Sequence, residues 1–427
     1  MNNVQKLQEA INNSAFQSVN LINQQMSFAN LTNLNILAKQ INFPVVHRQF
    51  ESISSNLKIL SEVYLKNHNY WNNVINSAIG AYNSTQEEKV KIVIENLKLK
   101  KVNAPKDLPL LASLSMAVPI LIGLLSNNLK LGMTASLAAI LVVYFPLKGS
   151  FSEKILMLMG CSFGFISVYT IGLVFSFNTV VSVIVFGITA GIIHWMVSHF
   201  KLKPPKDFFF VMICSNAISI PHQPIHKIAE NIGYMTFGTL STCLVVFLYC
   251  FIVKKKLNLE KTLNIPHTPQ EIRKSIIEAI IFGIFLSIAL GVGYFLNLTN
   301  PYWVAVACIA VMQGNSTQHV FQRSVQRIIG TLIGVVFCWG ILLFAKNPWE
   351  ICMLIIILQF IVEYLVPRNY GIAMIFITPL TIFLSEAGTL FTKSPFLFAE
   401  GRLFNTIIGS LIGIIGGYVV YHEKFRE

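Results

Sequence analysis

Charge is scarce in this 427-residue chain, and negative charge is scarcest: 19 Asp and Glu stand against 32 Lys and Arg, and charged residues make up only 12% of the whole. Soluble domains carry about twice that share, so a water-facing surface is excluded for most of the chain. No Gly-x-x-x-x-Gly-Lys-Ser/Thr sequence occurs, which excludes the phosphate-cradling loop of a direct ATP user. The seven cysteines, at 161, 214, 243, 250, 308, 338 and 352, have no Cys-x-x-Cys spacing and fall inside apolar runs. They read as small core residues, so no metal site, cofactor or redox role is expected. The first twenty residues are polar and Asn-rich rather than a basic and apolar leader, so membrane insertion is expected to be driven by later helices.

What is present is apolar. Hydrophobic residues make up 54% of the chain and the mean hydropathy is +0.61. Twelve apolar runs lie between residues 108 and 421, most near the roughly 20 residues that cross a bilayer. The runs at 208–221 and 301–314 are short, which suggests tilted, broken or shielded helices. The pattern predicts an all-α polytopic membrane protein with about twelve transmembrane helices and no catalytic constellation, hence no enzyme.

The net charge of +13 raises the question of nucleic-acid binding, and its placement answers it. Beyond residue 107, sorting 21 Lys and Arg by alternate loops puts sixteen on one side, including Arg273, Arg323, Arg327 and Arg368, and five on the other: Lys130, Lys227, Lys346, Lys393 and Arg402. That asymmetry is the positive-inside pattern. Both termini are therefore expected in the cytoplasm of a bacterial inner (plasma) membrane protein whose partner is the lipid bilayer, with no nucleic acid involved.

An internal repeat is legible. Residues 129–164 align without a gap on 299–334, matching Ala135 to Ala305, Phe151 to Phe321, Gly160 to Gly330 and Gly164 to Gly334. The same spacing pairs Thr236 with Thr406, and a slightly shorter one pairs Pro205-Lys206-Asp207 with Pro367-Arg368-Asn369. Two parallel six-helix repeats follow, over 106–253 and 275–427, joined by a cytoplasmic linker at 254–274. A translocation path is expected at or near the interface they share. Gly160/Gly164, Gly187/Gly191, Gly330/Gly334 and Gly409/Gly413 supply small-residue spacings for close helix packing.

Residues 1–105 differ in kind. A 4-3 apolar spacing from Val46 through Phe50, Ile53, Leu57, Leu60, Tyr64, Trp71 and Val74 to Ala78 predicts a soluble, coiled-coil-like helical domain. Thr85 and Glu88 form a capping-box sequence for the helix that leads to the membrane. Its expected role is that of a cytoplasmic scaffold, with homo-oligomerisation through these helices.

The stretch NPYWVAVACIAVMQGNSTQHVFQRSVQRIIGTLIG at 300–334 carries a Trp-bearing helix, a polar turn with Arg323 and Arg327, and a helix opening Arg327-x-x-Gly330-Thr331-x-x-Gly334. Arg368-Asn369-Tyr370 precedes the helix GIAMIFITPLTIF, and Arg402-x-x-x-Thr406-x-x-Gly409 opens the last one. This layout resembles the FUSC family, the fusaric-acid-resistance and aromatic-acid-exporter type of inner-membrane protein, over roughly residues 108–421. The resemblance implies an efflux transporter for small amphipathic organic anions such as aromatic carboxylates and fusaric-acid-like compounds, coupled to the proton gradient. It also implies, in two-membraned cells, a periplasmic membrane-fusion adaptor and an outer-membrane channel. Larger exporters of this kind carry a cytoplasmic domain between their halves, where this chain has only its short linker. A passive anion channel of the malate-channel type and a non-transporting membrane scaffold are the alternatives.

Charge inside a bilayer costs about 2.5–3.5 kcal/mol even on lenient scales, so each such residue calls for a reason. Arg323 and Arg327, after the polar break at Gln313, Gly314 and Asn315, suit bidentate capture of a carboxylate, and Tyr302 and Trp303 suit an aromatic ring. Thr331, Arg368, Tyr370 and Arg402 complete the candidate path. For proton coupling the candidates are Glu363, with Gln359 one turn inside it and Arg368 beyond, and His194, Glu278 and Glu400. Glu278 also reads as an interfacial partner of Lys274. Glu271 and Glu350, in Thr-Pro-Gln-Glu and Asn-Pro-Trp-Glu, read as helix-capping residues.

Overall fold

Capping residues set where several helices begin. Thr268 and Glu271 cap one helix start reciprocally and Asn347 and Glu350 another, as their sequences predict, and Ser150 with Glu153 forms a third capping box. The computed structural model describes residues 107–146, 150–202, 204–253, 268–342, 345, 347–386 and 395–421. These form twelve α-helices, with no strand among the described residues. The first set is α1 (Leu108–Leu125), α2 (Leu129–Ala139, prolonged by a 3-10 turn over Ile140–Tyr144), α3 (Phe151–Val174), α4 (Thr179–His199), α5 (Phe208–Ile218) and α6 (Ile225–Val253). The second set is α7 (Pro269–Phe295), α8 (Tyr302–Met312), α9 (Thr317–Leu342), α10 (Pro348–Leu365), α11 (Tyr370–Glu386) and α12 (Pro395–Tyr421). The expected coiled-coil-like domain at 1–105 and the linker residues 254–267 lie outside the described residues.

Eight helices, α1, α3, α4, α6, α7, α9, α10 and α12, are long and apolar enough to cross a membrane. The twelve apolar runs thus resolve into eight helices of spanning length and four shorter ones. α5 and α8 have 11 residues each, about 16 Å of helix against about 30 Å of bilayer hydrocarbon. A helix ending within the apolar layer must have its terminal backbone groups shielded by protein. All eleven residues of α8 are buried, and α5 buries most of its own. The long helices instead turn apolar faces outward, as Ile184, Ile188 and Ile192 do along α4.

Within the first set α1 packs on α2 and α6, α2 on α6, α3 on α5 and α6, and α4 on α5. Each of these has a counterpart six helices later: α7 with α8 and α12, α8 with α12, α9 with α11 and α12, and α10 with α11. Between the sets, α4 packs on α7 as α10 does on α1, and α5 packs on α8 as α2 does on α11. The short helices therefore meet one another at the centre, where Met212, Tyr302, Trp303 and Val306 form a buried cluster against Leu137 and Ile140.

The two long seams between the sets are built differently. At α4–α7 the backbones nearly touch: a Cβ on Gly283 would lie 2.6 Å from the Gly187 carbonyl, and one on Gly191 3.0 Å from that of Ala279. The α1–α10 seam is aliphatic, with Met116, Ile120, Ile351, Ile355 and Leu358 in one buried cluster. Of the expected small-residue spacings, Gly160 is a correction. Nothing lies within 4 Å of where its Cβ would stand, because it sits on the outward face of α3.

Candidate functional site

Polar side chains collect at the two ends of α8. At its carboxyl end, His194 of α4 is stacked on Phe282 of α7 with ring centroids 3.8 Å apart. Its Nδ1 lies 2.7 Å from Oδ2 of Asp207. The other Asp207 oxygen accepts a hydrogen bond of 2.9 Å from Gln313 Nε2, which also donates to the Pro205 carbonyl at 3.0 Å. The Gln313 carbonyl accepts from Arg323 Nη1 at 3.2 Å. Arg323 lies 4.8 Å over the Tyr370 ring, and the Tyr370 hydroxyl accepts from Arg327 Nη1 at 2.9 Å. One continuous polar chain thus runs from α4 in the first set to α9 and α11 in the second.

Asp207 occupies the position before α5 that Asn369 occupies before α11. Asn369 caps its helix, with Oδ1 accepting from the Ile372 N–H at 3.1 Å. Asp207 makes no such cap; its carboxylate is given to His194 and Gln313 instead. Burial by itself would raise the Asp207 carboxyl, and the facing His194 and the Gln313 hydrogen bond outweigh it, holding the group below its ordinary value.

Arg323 and Arg327 do not lie in a turn. α9 starts at Thr317, well before the apolar run that begins at 328, because its first turns are amphipathic and lower the local hydropathy. Arg327 consequently stands about 15 Å along the helix from its start and is 5% exposed. Among the described residues no carboxylate lies within ion-pair distance of Arg323 or Arg327, the ion pairs there being His194–Asp207 and Lys227–Glu230.

At the amino end of α8, the Arg402 guanidinium of α12 lies 3.0 Å over the Trp303 ring and donates to Thr381 Oγ1 of α11 at 2.6 Å. Trp303 is tilted against Tyr302 with centroids 4.8 Å apart. Asn405, one turn further along α12, donates to the carbonyls of Thr299 and Asn300 at 2.7 and 3.2 Å. Two cationic, aromatic-lined clusters are therefore separated by the 11 residues of α8, about 16 Å.

Residues 288–416 match the fusaric acid resistance protein-like family. The match takes in all of α8–α11 and most of α12, hence both clusters except His194, Pro205, Asp207 and Phe282. The resemblance read from the sequence over 108–421 is thus met across the second helix set. Two relatives are similar to part of the chain. An uncharacterized membrane protein, YvaC, of Bacillus subtilis (strain 168) is 30% identical over 148 residues, 35% of this chain and 23% of its own length. An uncharacterized protein, YhfK, of Escherichia coli (strain K12) is 30% identical over 135 residues, 31% of this chain and 19% of its own length. The chain thus spans less than a quarter of either relative. No solved structure matches it.

Of the remaining candidates within residues 288–416, Thr331 is buried on α9 one turn beyond Arg327, and Asn315 is exposed, its N–H donating to His319 Nδ1 at 3.4 Å. Arg368 does not reach Glu363; it turns back to the Tyr364 carbonyl and stacks on that residue's ring at 3.8 Å. Glu363 is buried in α10 and accepts from Gln359 Nε2 at 3.2 Å. Outside that region, Glu278 lines a shallow cavity of about 190 Å³ between α4 and α7 with Trp195, His199 and Lys274. The expected Lys274–Glu278 ion pair is not formed, since Lys274 is exposed, where such pairs contribute little. The Glu400 side chain lies outside the described residues. Sequence reasoning missed Asp207, whose only signal was its place opposite Asn369 in the repeat.

Proposed function

We propose that the chain exports small amphipathic organic anions, aromatic carboxylates foremost, across the bacterial inner membrane in exchange for protons. The observation that carries this reading is the burial of Arg327 deep in an apolar helix with no carboxylate at ion-pair distance among the described residues. A cation in that position is costly unless an anion visits it. The Tyr370 and Trp303 rings beside Arg323 and Arg402 suit the ring of such an anion. The likeness of residues 288–416 to fusaric acid resistance proteins supports the same substrate class.

The two helix sets are read as duplicated, parallel halves, supported by the one-to-one correspondence of their packing. The distribution of Lys and Arg supports cytoplasmic termini and linker. Residues 1–105 act as a scaffold in this reading, and a periplasmic adaptor with an outer-membrane channel completes the route in two-membraned cells. Coupling is assigned to Glu363: a carboxyl hydrogen-bonded to the neutral Gln359 amide takes up or releases a proton without breaking an ion pair.

The experiment is uptake of radiolabelled benzoate into inside-out vesicles under an imposed pH gradient. Gradient-driven uptake that collapses with a protonophore is expected. In Glu363→Gln, uptake should lose its pH-gradient dependence while benzoate binding and protein abundance stay near normal. Downhill benzoate flux that ignores the gradient in the unaltered protein would favour the passive channel, a reading that the uncompensated positive charge at Arg327 also suits. No benzoate flux at all would overturn the transport of aromatic carboxylates.

A further inference from the structure

Buried polar atoms without a hydrogen bond are concentrated on two helices. Among the described residues they include Ser324 Oγ, Arg327 Nε and Thr331 Oγ1 of α9 and Asn405 Oδ1 and Ser410 Oγ of α12, whereas α1–α6 contribute the Ser115 hydroxyl alone. At about 100° per residue, Val320, Ser324, Arg327 and Thr331 share one stripe of α9. Val320 shows where that stripe points, since a Cβ on Gly417 of α12 would lie 2.7 Å from its side chain.

The register along this seam follows from the neighbours. Gly409, Gly413 and Gly416 of α12 meet Val304, Cys308 and Met312 of α8 in ascending order, so α12 runs parallel to α8. α9 turns back after α8 and runs antiparallel to both. Counted from the Val320–Gly417 contact, Arg327 and Ser410 are each seven residues away and Thr331 and Thr406 each eleven, which places the pairs at levels of about 10 and 16 Å. Ser324, Arg327, Thr331, Thr406 and Ser410 are all at most 5% exposed. Arg327 Nη1 is engaged by Tyr370 and Met374 of α11 and the Thr406 hydroxyl by the Arg402 carbonyl. Arg327 Nε and the hydroxyls of Ser324, Thr331 and Ser410 are left without a partner, and that unmet hydrogen-bonding capacity is that of a carboxylate's partners.

The corresponding place in the first set has other chemistry. The residues 170 positions before Arg327 and Thr331 are Met157 and Cys161. Beside them Phe165 packs on Phe210 and Tyr144, with ring centroids at 4.8 and 5.8 Å. An anion has donors to meet it in the second set and a packed aromatic core in the first.

We infer that a monocarboxylate binds inside the second helix set, in the α9–α12 seam at Arg327, Thr331 and Ser410, as a station between the Gln313 cluster and Arg402. The anion's route then runs within one half of the protein, not along the interface between halves. This rests on the transport reading and specifies where in the molecule it operates.

Thiol accessibility tests the location independently of flux. Full-length protein with one cysteine, introduced as Thr331→Cys or Ser410→Cys or retained as native Cys161, is reconstituted in liposomes and exposed to a negatively charged methanethiosulfonate reagent. Positions 331 and 410 should react about tenfold faster than Cys161, because reaction follows access. Benzoate should slow that reaction several-fold, and adding Arg327→Gln should abolish the protection. Ser324→Cys serves as a second site if Thr331→Cys fails to fold. Reaction no faster than at Cys161, or unaffected by benzoate, overturns the seat. Benzoate flux by liposomes that hold the unaltered protein keeps the two ideas apart: flux without labelling at the seam moves the route elsewhere and leaves transport standing, and absence of flux in the unaltered protein counts against transport itself.

Discussion

The Asp207 carboxylate, one residue before α5, meets the His194 imidazole of α4 at 2.7 Å and turns its second oxygen to Gln313 at the end of α8. A loop of the first helix set is thereby tied to the second by a buried group with 1% exposure. Removing one partner leaves the others buried and unsatisfied, a loss of about 3–5 kcal/mol. Asp207→Ala should therefore lower the thermal midpoint of the purified protein clearly, and His194→Gln with Asp207→Asn, which keeps hydrogen-bonding groups in place, should do so less. An unchanged midpoint in Asp207→Ala would show that the pair is dispensable.

The same group gives a pH dependence whose sign is fixed. The Asp207 carboxyl is held below its ordinary value, so its contribution is complete above the unfolded value of about 3.9 and is lost as pH falls through the lower folded value. Stability should decline as pH falls from about 3.9 through the lower folded value, and Asp207→Asn should remove that part of the decline. The check is the midpoint measured across a pH series for both proteins.

Arg327→Lys keeps the charge and loses the planar fork. Transport of benzoate should fall about tenfold or more, and transport of a neutral aromatic of similar size much less. Equal loss for both would return Arg327 to a role in packing or topology.

The Trp303 ring beneath Arg402 contributes about 0.5–2 kcal/mol to holding that guanidinium. Trp303→Leu should weaken benzoate transport, and Trp303→Phe should restore part of it. Identical transport by both variants would show that the ring is only a filler.

At the α4–α7 seam, Gly187→Leu would push its side chain into the Gly283 carbonyl, 2.8 Å from the position of a Cβ. Overpacking of this kind costs about 1–3 kcal/mol. Gly160→Leu, on an open face, should leave stability nearly unchanged, and detergent-resistance assays on the two variants would reveal the contrast.

Much of this arrangement was legible in the residues. Thr268-Pro-Gln-Glu271 and Asn347-Pro-Trp-Glu350 announced helix starts that the structure confirms, and Arg327-x-x-Gly-Thr marked the region that matches a family. What stayed hidden depended on pairing through space. His194 stood alone in an apolar run, and only the fold brings Asp207 to it. Arg323 and Arg327 read as loop residues because an amphipathic helix start dilutes hydropathy just where the helix begins. Ser410 carries no signal in the sequence, because its level with Arg327 can be counted only once α9 and α12 are seen to run antiparallel.

The shortness of α8 bears on electrical work. A membrane potential of 100 mV does about 2.3 kcal/mol of work on one elementary charge carried through the whole of it. Where water reaches both polar ends of α8, most of that drop falls across the helix's 11 residues and not across the full thickness of the lipid. The field there is about twice as steep as in the surrounding bilayer, and an anion stepping past Arg327 would take up most of its voltage dependence in that one stride.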